Sequence, residues 1–321
     1  MGNGAANRSF WWPAFVKFVY LTIMEFVDIH SITELHTFYG YEKPTHPLIT
    51  IIDWAKVDRS KRRKGDIYYR LDMYAIACKK AQGEFRYGRS TYDFSEGSLI
   101  FMAPQQAIQP DPAFEVREGW ALYIHPDFLN ASKKGVALTN YSFFGYDANE
   151  ALHISDAENK ILEECLHNIQ REIVQNLDTH TYNLMLTNLE LFFGYCSRFY
   201  DRQFLTRVKV SNDTLENFER LLNEYFAQDT LIEAGLPDVK YFASRLNLSP
   251  NYLADLLTKY TGKPTQEHIH LKMIEKAKSL LWSSDLAISE IAYNLGFEHP
   301  SHFTRLFKSK TGKSPKEFRQ N

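Results

Sequence analysis

The sequence has too little cysteine for a disulfide framework or a cysteine-rich zinc site. Three cysteines occur in 321 residues, Cys78, Cys165 and Cys196, and no two of them form a C-x-x-C pair. An odd number of widely spaced cysteines is typical of proteins kept in a reducing compartment, where thiols stay unpaired. We therefore expect buried free thiols and a cytoplasmic location.

Histidine is missing from the whole stretch between Pro47 and Ile124, which is the part whose pattern predicts β-strands. A metal enzyme built on such strands would need a cluster such as His-x-His with a carboxylate and a further histidine. The lone His125 does not supply one. The sequence also lacks a glycine-rich phosphate loop and a G-x-S-x-G elbow. We predict no cofactor, no metal and no enzymatic activity.

Long hydrophobic runs are also missing. The most apolar stretch, residues 10–23, contains Pro13 and Lys17 and is shorter than the roughly 20 residues that a membrane helix needs. No small-x-small cleavage site follows it. We predict no membrane span. Residues 1–23 are expected to form an extension, either disordered ahead of a natural start at Met24 or packed on the body as an arm.

Residues 48–124 carry the pattern of several short β-strands. β-branched and aromatic residues dominate the runs at 48–53, 67–78, 84–94, 98–102 and 119–124, and turn signals separate them. Strands at this spacing predict a sandwich or a barrel. The aromatic side chains are expected to pack in its core. The alternative is that some line a pocket, for which the candidates are Tyr68, Tyr74, Phe85 and Tyr87.

The chain then turns helical. Residues 155–158 read as a capping box, and an apolar stripe follows through residue 173. A second helix carries apolar residues from Tyr182 to Phe199 at alternating spacings of three and four, which is a coiled-coil seam. The two helices are expected to form an antiparallel hairpin over 151–204. It either covers the strands or forms a dimer interface, and the two roles are compatible.

The most informative feature is a helical pattern that occurs twice. The first copy covers residues 238–246 and 249–262, and the second covers 287–295 and 299–312. Each second helix has proline at its first position and a glycine just past its end, which are the expected start and stop signals. Two short helices joined by a tight break form a helix-turn-helix unit, whose second helix enters the DNA major groove.

These residues resemble the DNA-binding domain of the AraC/XylS family of bacterial transcription regulators. The matching stretches read ISEIAYNLGF at 288–297, SHFTRLFK at 301–308 and GKSPKEFR at 312–319. The resemblance implies a C-terminal all-α domain at 215–321 with two helix-turn-helix motifs, after a linker at 205–214. It also implies a cupin-like β-barrel at 24–150 that senses a small effector. The fold class is then α+β multidomain. The alternative is two helical hairpins with a purely structural role.

The resemblance also assigns residues to DNA. Six residues near the starts of the two recognition helices are expected to face base edges: Asn251, Ala254, Asp255, Ser301, His302 and Arg305. Five lysines at their far ends are expected to contact phosphates: Lys259, Lys263, Lys308, Lys310 and Lys313. His299 and His302 have a spacing that could chelate zinc, but we expect them to face DNA instead.

The distribution of charge along the chain agrees with a DNA-binding C-terminal domain. Residues 240–321 contain 13 of the 37 lysines and arginines and 7 of the 39 aspartates and glutamates, a net charge of +6. The rest therefore contains 24 basic and 32 acidic residues, a net charge of −8. A basic end on an acidic body suits a phosphate-binding module joined to a domain that does not bind DNA.

We therefore predict a sequence-specific regulator, an activator, whose recognition helices read successive major-groove segments about 34 Å apart. The predicted partners are double-stranded DNA, a second copy of the chain in a homodimer, a small-molecule effector and RNA polymerase. The alternative is an effector-independent architectural or scaffold protein that binds DNA.

Overall fold

In the first half of the chain, the residues that the structure describes form nine strands and several short helices. The structure, a computed structural model, describes residues 25–58, 67–80, 84–87, 90–93, 97–108, 118–130, 138–175, 178–206, 208–227 and 235–320. Both predictions for the extension at 1–23 fall outside these residues. The first elements are β1 (Glu25–Ile29), α1 (Ile32–Tyr39), β2 (Ile49–Asp53), β3 (Ile67–Leu71), β4 (Tyr74–Lys80), β5 (Glu84–Tyr87), β6 (Ser90–Asp93), β7 (Ser98–Met102), β8 (Glu118–Ile124), α2 (Pro126–Asn130) and β9 (Leu152–His153).

The described strands form open sheets. Five of them pair antiparallel in the order β2-β8-β4-β7-β9, while β1 pairs with β3 and β5 pairs with β6 separately. The barrel prediction is corrected to this extent, because a barrel requires every edge strand to find a partner. Within the described residues, β2 and β9 remain edges. Two predicted runs also divide: 67–78 breaks between β3 and β4, and 84–94 is a hairpin.

The five-stranded sheet is buried on both faces. On β4, Ile76 and Cys78 pack into the core shared with the following helices. Ala75 and Ala77 point to the opposite side, towards the core that contains Leu35 of α1. This alternation is the period of two by which the strand was predicted. The three cysteines are buried and form no disulfide, as expected.

The predicted helical hairpin is present as α3 (Asp156–Val174) and α4 (Thr181–Thr206). Ser155 and Glu158 form the predicted capping box. Five residues of the α4 seam are no more than 5% exposed: Met185, Leu189, Phe192, Cys196 and Phe199. They pack in the same core as one face of the sheet. The seam therefore covers the chain's own sheet and is not open to a second copy.

The remaining helices of the described residues are α5 (Val208–Ala227), α6 (Val239–Leu246), α7 (Pro250–Thr261), α8 (Thr265–Ser283), α9 (Ile288–Asn294), α10 (Pro300–Thr311) and α11 (Pro315–Arg319). One core joins α5 to both helix-turn-helix units, with Phe218, Phe242, Met273 and Phe303 all fully buried in it. In the segment predicted as a linker, 205–214, α4 runs to Thr206 and α5 starts at Val208. The backbone described there is therefore helical.

The predicted helix boundaries in the repeat are confirmed. Asn247 ends α6 in the left-handed conformation, with φ of 56°, and Ser249 caps α7 by accepting a hydrogen bond from the Tyr252 amide. Gly262 and Gly312 end α7 and α10 with φ of 73° and 78°. His299 provides no side-chain cap for α10, in keeping with its poor N-cap propensity.

Candidate nucleic-acid interface

The second recognition helix, α10, presents its predicted base-facing residues to solvent. Phe303 and Phe307 are fully buried and hold the helix on the C-terminal core. Ser301, His302 and Arg305 lie on the other side and are exposed. An exposed arginine near the start of such a helix can donate two hydrogen bonds to O6 and N7 of guanine. In this lobe, the predicted residues are brought together on one open face.

The first recognition helix, α7, has a different environment. Leu253 and Leu257 pack in the C-terminal core, whereas Leu256, which is 2% exposed, packs in the core of the N-terminal region. A short helical turn, Ser142–Gly145, lies against this helix, and a second one, Ala148–Glu150, contacts the residue that caps its start. We call residues 142–150 the docking segment.

Predicted base-facing residues of α7 contact the docking segment. The Tyr146 hydroxyl donates a hydrogen bond to a carboxylate oxygen of Asp255 at 2.5 Å. The Asn251 side-chain amide donates to the Ser142 carbonyl at 3.5 Å. Ala254 is partly buried. Burial, followed by the nearby Asp255 carboxylate, raises the pKa of the Tyr146 hydroxyl, so this hydroxyl stays a donor.

Glu150 binds the start of α7. One carboxylate oxygen accepts from the Ser249 amide at 2.7 Å, and the other accepts from the Ser249 hydroxyl at 2.5 Å. Glu150 is only 4% exposed. Burial raises its pKa to about 7, although its hydrogen bonds with Ser249 act in the opposite direction. A helix start attracts negative charge because its first amide groups have no partner within the helix.

Further contacts continue this junction along α7. Tyr252 packs edge-to-face on Tyr146, with ring centroids 5.2 Å apart, and also packs against Phe204. The Tyr260 hydroxyl donates to the Phe204 carbonyl. Lys259 forms an ion pair with Asp201 of α4 at 2.8 Å. The junction therefore spans the helix from its first turn to its last.

The phosphate candidates fall into two groups. Lys259, although exposed, forms an ion pair with Asp201, and the half-buried Lys310 pairs with Glu267 of the connecting helix α8, where this contact lowers the pKa of Glu267. The other three, Lys263, Lys308 and Lys313, are exposed. Two of the exposed lysines, Lys308 and Lys313, therefore lie at the end of α10, the helix whose base-facing candidates are also exposed.

Of the four candidates for an effector pocket, the two whose side chains the structure describes pack against different neighbours. Tyr68 packs against Phe26 at 5.4 Å between ring centroids, and Tyr74 packs against Phe144 at 5.0 Å. Phe85 and Tyr87 lie on β5, and their side chains fall outside the described residues.

Clefts among the described residues include two large ones. One, of about 600 Å³, runs between β2 and α3 and is lined by His36, Trp120, Glu163 and His167 among others. The other, of about 560 Å³, lies where the docking segment and α4 meet α7.

The residues at this junction carry no sequence signal of their own role. Glu150 and Tyr146 lie in short irregular turns without periodicity, and their partners are about 100 positions away in the chain. Within the part of the chain that the structure describes, no group of three His, Cys, Asp or Glu residues could hold a metal ion. The same described residues contain no helix with the length and apolar character of a membrane span.

Comparison with known proteins agrees with this geometry. Residues 242–321 match a protein family described as a helix-turn-helix domain. The HTH-type transcriptional activator RhaS of Salmonella schwarzengrund is 31% identical over 136 residues, which are 42% of this chain and 46% of that protein. The chain thus spans less than half the length of the curated relatives it matches.

Similar solved structures cover about a third of the chain. The C-terminal domain of the two-component response regulator yesN from Fusobacterium nucleatum is 30% identical; it covers 33% of this chain and 98% of that one, with a TM-score of 0.30. The DNA-binding domain of AdpA, solved in complex with a target DNA, is 26% identical and covers 31% of this chain and 89% of that one, with a TM-score of 0.27.

Fold, caps and sequence match together define a double helix-turn-helix protein. Its C-terminal domain is of the AraC type, which confirms the resemblance seen in the sequence. The relatives that it matches are transcription regulators and not enzymes.

Proposed function

We propose that this chain is a sequence-specific DNA-binding transcription regulator, and that it activates transcription. The observation that carries the proposal is α10, which presents Ser301, His302 and Arg305 to solvent at the start of an AraC-type recognition helix. The exposed Lys308 and Lys313 at its far end suit phosphate contacts, so that base reading and backbone positioning come from one helix.

Selection from a random library of duplexes of about 30 base pairs tests this, because that length covers two successive major-groove segments. The full chain should enrich a defined motif. The matched control is the variant His302→Ala with Arg305→Ala, which keeps the buried Phe303 and Phe307 and should lose part of the motif. Recovery of unselected sequence by both proteins would contradict a sequence-specific role.

We further propose that both recognition helices read DNA in the active form. The two helix-turn-helix units share one core and are joined by α8, which has Ile269, Met273 and Ala277 buried along one side. A rigid connection of this kind fixes the spacing of the two helices, as simultaneous reading of two groove segments requires. A motif with two separated blocks would support this, whereas a single short block would indicate reading by one helix.

A homodimer is also proposed, but through the outer side of α4 instead of its buried seam. Leu184, Leu191 and Leu205 are 47%, 49% and 57% exposed. They lie seven and fourteen residues apart, which are multiples of the coiled-coil repeat. RNA polymerase is proposed as a further partner, because an activator requires it. The proposed location is the cytoplasm of a bacterium, which contains both DNA and RNA polymerase.

A small-molecule effector is proposed for the cleft at α7, because a ligand bound there would touch both parts of the chain. Such a ligand changes their arrangement only if it prefers one arrangement over the other. The second candidate function is that of an effector-independent architectural protein. It is favoured because Tyr68 and Tyr74, two candidates for an effector pocket, pack against neighbouring rings instead. Thermal unfolding of the full chain against a small-molecule library separates the two, since only an effector-responsive protein should be stabilised.

A further inference from the structure

We propose that the N-terminal part of this chain masks the first recognition helix, so that the described conformation presents only the second one to DNA. The inference rests on the proposed function, because masking has meaning only if α7 binds DNA in another conformation. It goes further by assigning a regulatory role to the docking segment at 142–150. The role is an intramolecular one: the chain is its own competitor for DNA.

The first argument is overlap. Two of the three side chains predicted to face bases in α7 meet the docking segment: Asp255 accepts from Tyr146, and the exposed Asn251 donates to the Ser142 carbonyl. Asn251 also lies so close to Gly145 that a Cβ added there would be 3.8 Å from the Asn251 Cβ. A base pair and the docking segment cannot occupy this space together.

The second argument is the chemistry of the contact. The Glu150 carboxylate accepts from the amide and the hydroxyl of Ser249 at the start of α7. A helix start offers this kind of site to a DNA phosphate. At the other end of the helix, Asp201 holds Lys259, one of the predicted phosphate contacts, at 2.8 Å. Carboxylates of the acidic N-terminal part thus stand where DNA phosphates would bind.

The third argument is that the contact is a packed one. Leu256 of α7 packs with residues of the N-terminal region and not in the C-terminal core, and it is buried there. Tyr252 packs between Tyr146 and Phe204. Release of α7 would therefore expose apolar surface, which water disfavours. A partner must supply the energy for release, and two-site binding to DNA or a ligand at the adjoining cleft can do so.

A disulfide lock tests the proposal on the full chain. The variant Gly145→Cys with Asn251→Cys introduces two cysteines whose Cβ atoms would be 3.8 Å apart. This distance is close to the mean for disulfides. The native cysteines are buried and should not compete. Oxidation should close the bond rapidly and lower affinity for the selected duplex by at least about tenfold. Reduction should restore it. Asn251→Cys alone, treated with the same oxidant, is the control for the loss of Asn251.

A release variant tests the opposite direction. Tyr146→Phe with Glu150→Ala removes the hydrogen bonds that Tyr146 and Glu150 make with Asp255 and Ser249, and it leaves every DNA candidate in place. Hydrogen exchange of the amides in α7, measured without DNA, should become faster, and affinity for the duplex should rise by about three- to tenfold. The matched control is Tyr182→Phe with Glu164→Ala, since Tyr182 bonds the Phe128 carbonyl away from α7 and Glu164 is exposed.

The outcomes separate the two proposals. Slow or incomplete closure of the disulfide would overturn docking itself. Closure with equal affinity in the oxidised and reduced forms would overturn masking while DNA binding stands. If closure succeeds but neither form, nor the release variant, binds any duplex above a random-sequence control, the proposed function fails and masking of a DNA-reading face fails with it.

Discussion

Arg305 is the side chain from which we expect most of the base discrimination in the second lobe. It is exposed on α10, opposite the buried Phe303 and Phe307. Arg305→Ala should relax preference at one base position, because a bidentate contact with guanine contributes about 1–3 kcal/mol of discrimination. Binding to a set of single-base variants of the selected motif measures this. Lys308→Ala, the matched control, should weaken binding equally on all of them. A uniform loss for Arg305→Ala would place this arginine on phosphate.

The turn of the second helix-turn-helix unit requires glycine at position 296. Its φ is 84°, and a Cβ at this position would come within 3 Å of the Gly235 backbone. Gly296→Ala should destabilise the C-terminal domain by more than the roughly 1–3 kcal/mol that a left-handed non-glycine residue costs. Gly312→Ala is the control, because it has a similar φ of 78° but open space around it. Denaturant unfolding compares the two. Equal losses would show that the Gly235 backbone moves away at little cost.

Glu150 gives the junction a dependence on pH. Burial raises its pKa to about 7 in the docked form, whereas release returns it towards the ordinary value near 4.3. The docked form therefore binds the proton more tightly, and docking should weaken as pH rises from about 5 to about 8. Hydrogen exchange in α7, corrected for its intrinsic pH dependence, should become faster over that range.

The control for this pH effect is Glu150→Gln, which imitates the protonated acid and should flatten the dependence while leaving α7 docked. Other charged or titratable groups face the same junction: Asp147, Tyr146, Asp255, Asp201 and Lys259. An unchanged pH profile in Glu150→Gln would assign the effect to one of them.

At the scale of helices, α7 and α10 have diverged within one repeat. Asp255 occupies the position equivalent to Arg305 in the aligned pattern. We predict that Asp255→Asn tightens binding to random-sequence DNA, because a carboxylate repels phosphate and because the bond from Tyr146 is weakened. Tyr146→Phe separates the two causes, since it removes the bond and keeps the charge. If Asp255→Asn binds random DNA no better than the wild type, neither cause acts.

The helices of the repeat could be predicted from the sequence because their signals are local. Pro250 and Pro300 mark the starts, and Gly262 and Gly312 mark the ends, each within a few residues of the feature it controls. The seam of α4 was also visible, although its periodicity could not tell whether the chain's own sheet or a second copy would cover it. Burial of Phe192 and Cys196 answers that question.

The docking of α7 could not be predicted in the same way. Glu150 and Ser249 meet across a separation of 99 residues, and Tyr146 and Asp255 across 109. Such contacts depend on how two folded parts fit, and no period or cap encodes them. The pairing of β1 with β3 was missed for a related reason: it is a parallel pair on its own, outside the five-stranded sheet. The four effector-pocket candidates rest on residue type, which does not fix side-chain direction, and they stay a prediction.

The charge asymmetry of the whole chain affects both DNA binding and the contact between α7 and the N-terminal part. A net charge of −8 outside residues 240–321 and +6 within them favours DNA binding at one end. It also favours attraction between the two parts of the same chain, as in the pair of Asp201 with Lys259. Salt weakens both interactions. The salt dependence of DNA binding is therefore reduced wherever an internal ion pair must break before its lysine can bind a phosphate.

Oligomeric state should be readable from that salt dependence. If four to six phosphates are neutralised per protomer, log affinity falls with log salt at a slope of about −4 to −5, and about twice that for a dimer. Leu191→Glu places a charge in the middle of the exposed stripe on α4 and should give a monomer with half the slope. Phe26→Glu is the control: this residue is similarly exposed, at 43%, but lies on β1. Sedimentation and binding at several salt concentrations measure both quantities. A wild-type monomer, or equal slopes for the two variants, would mean that one copy binds alone and that the outer side of α4 has another role.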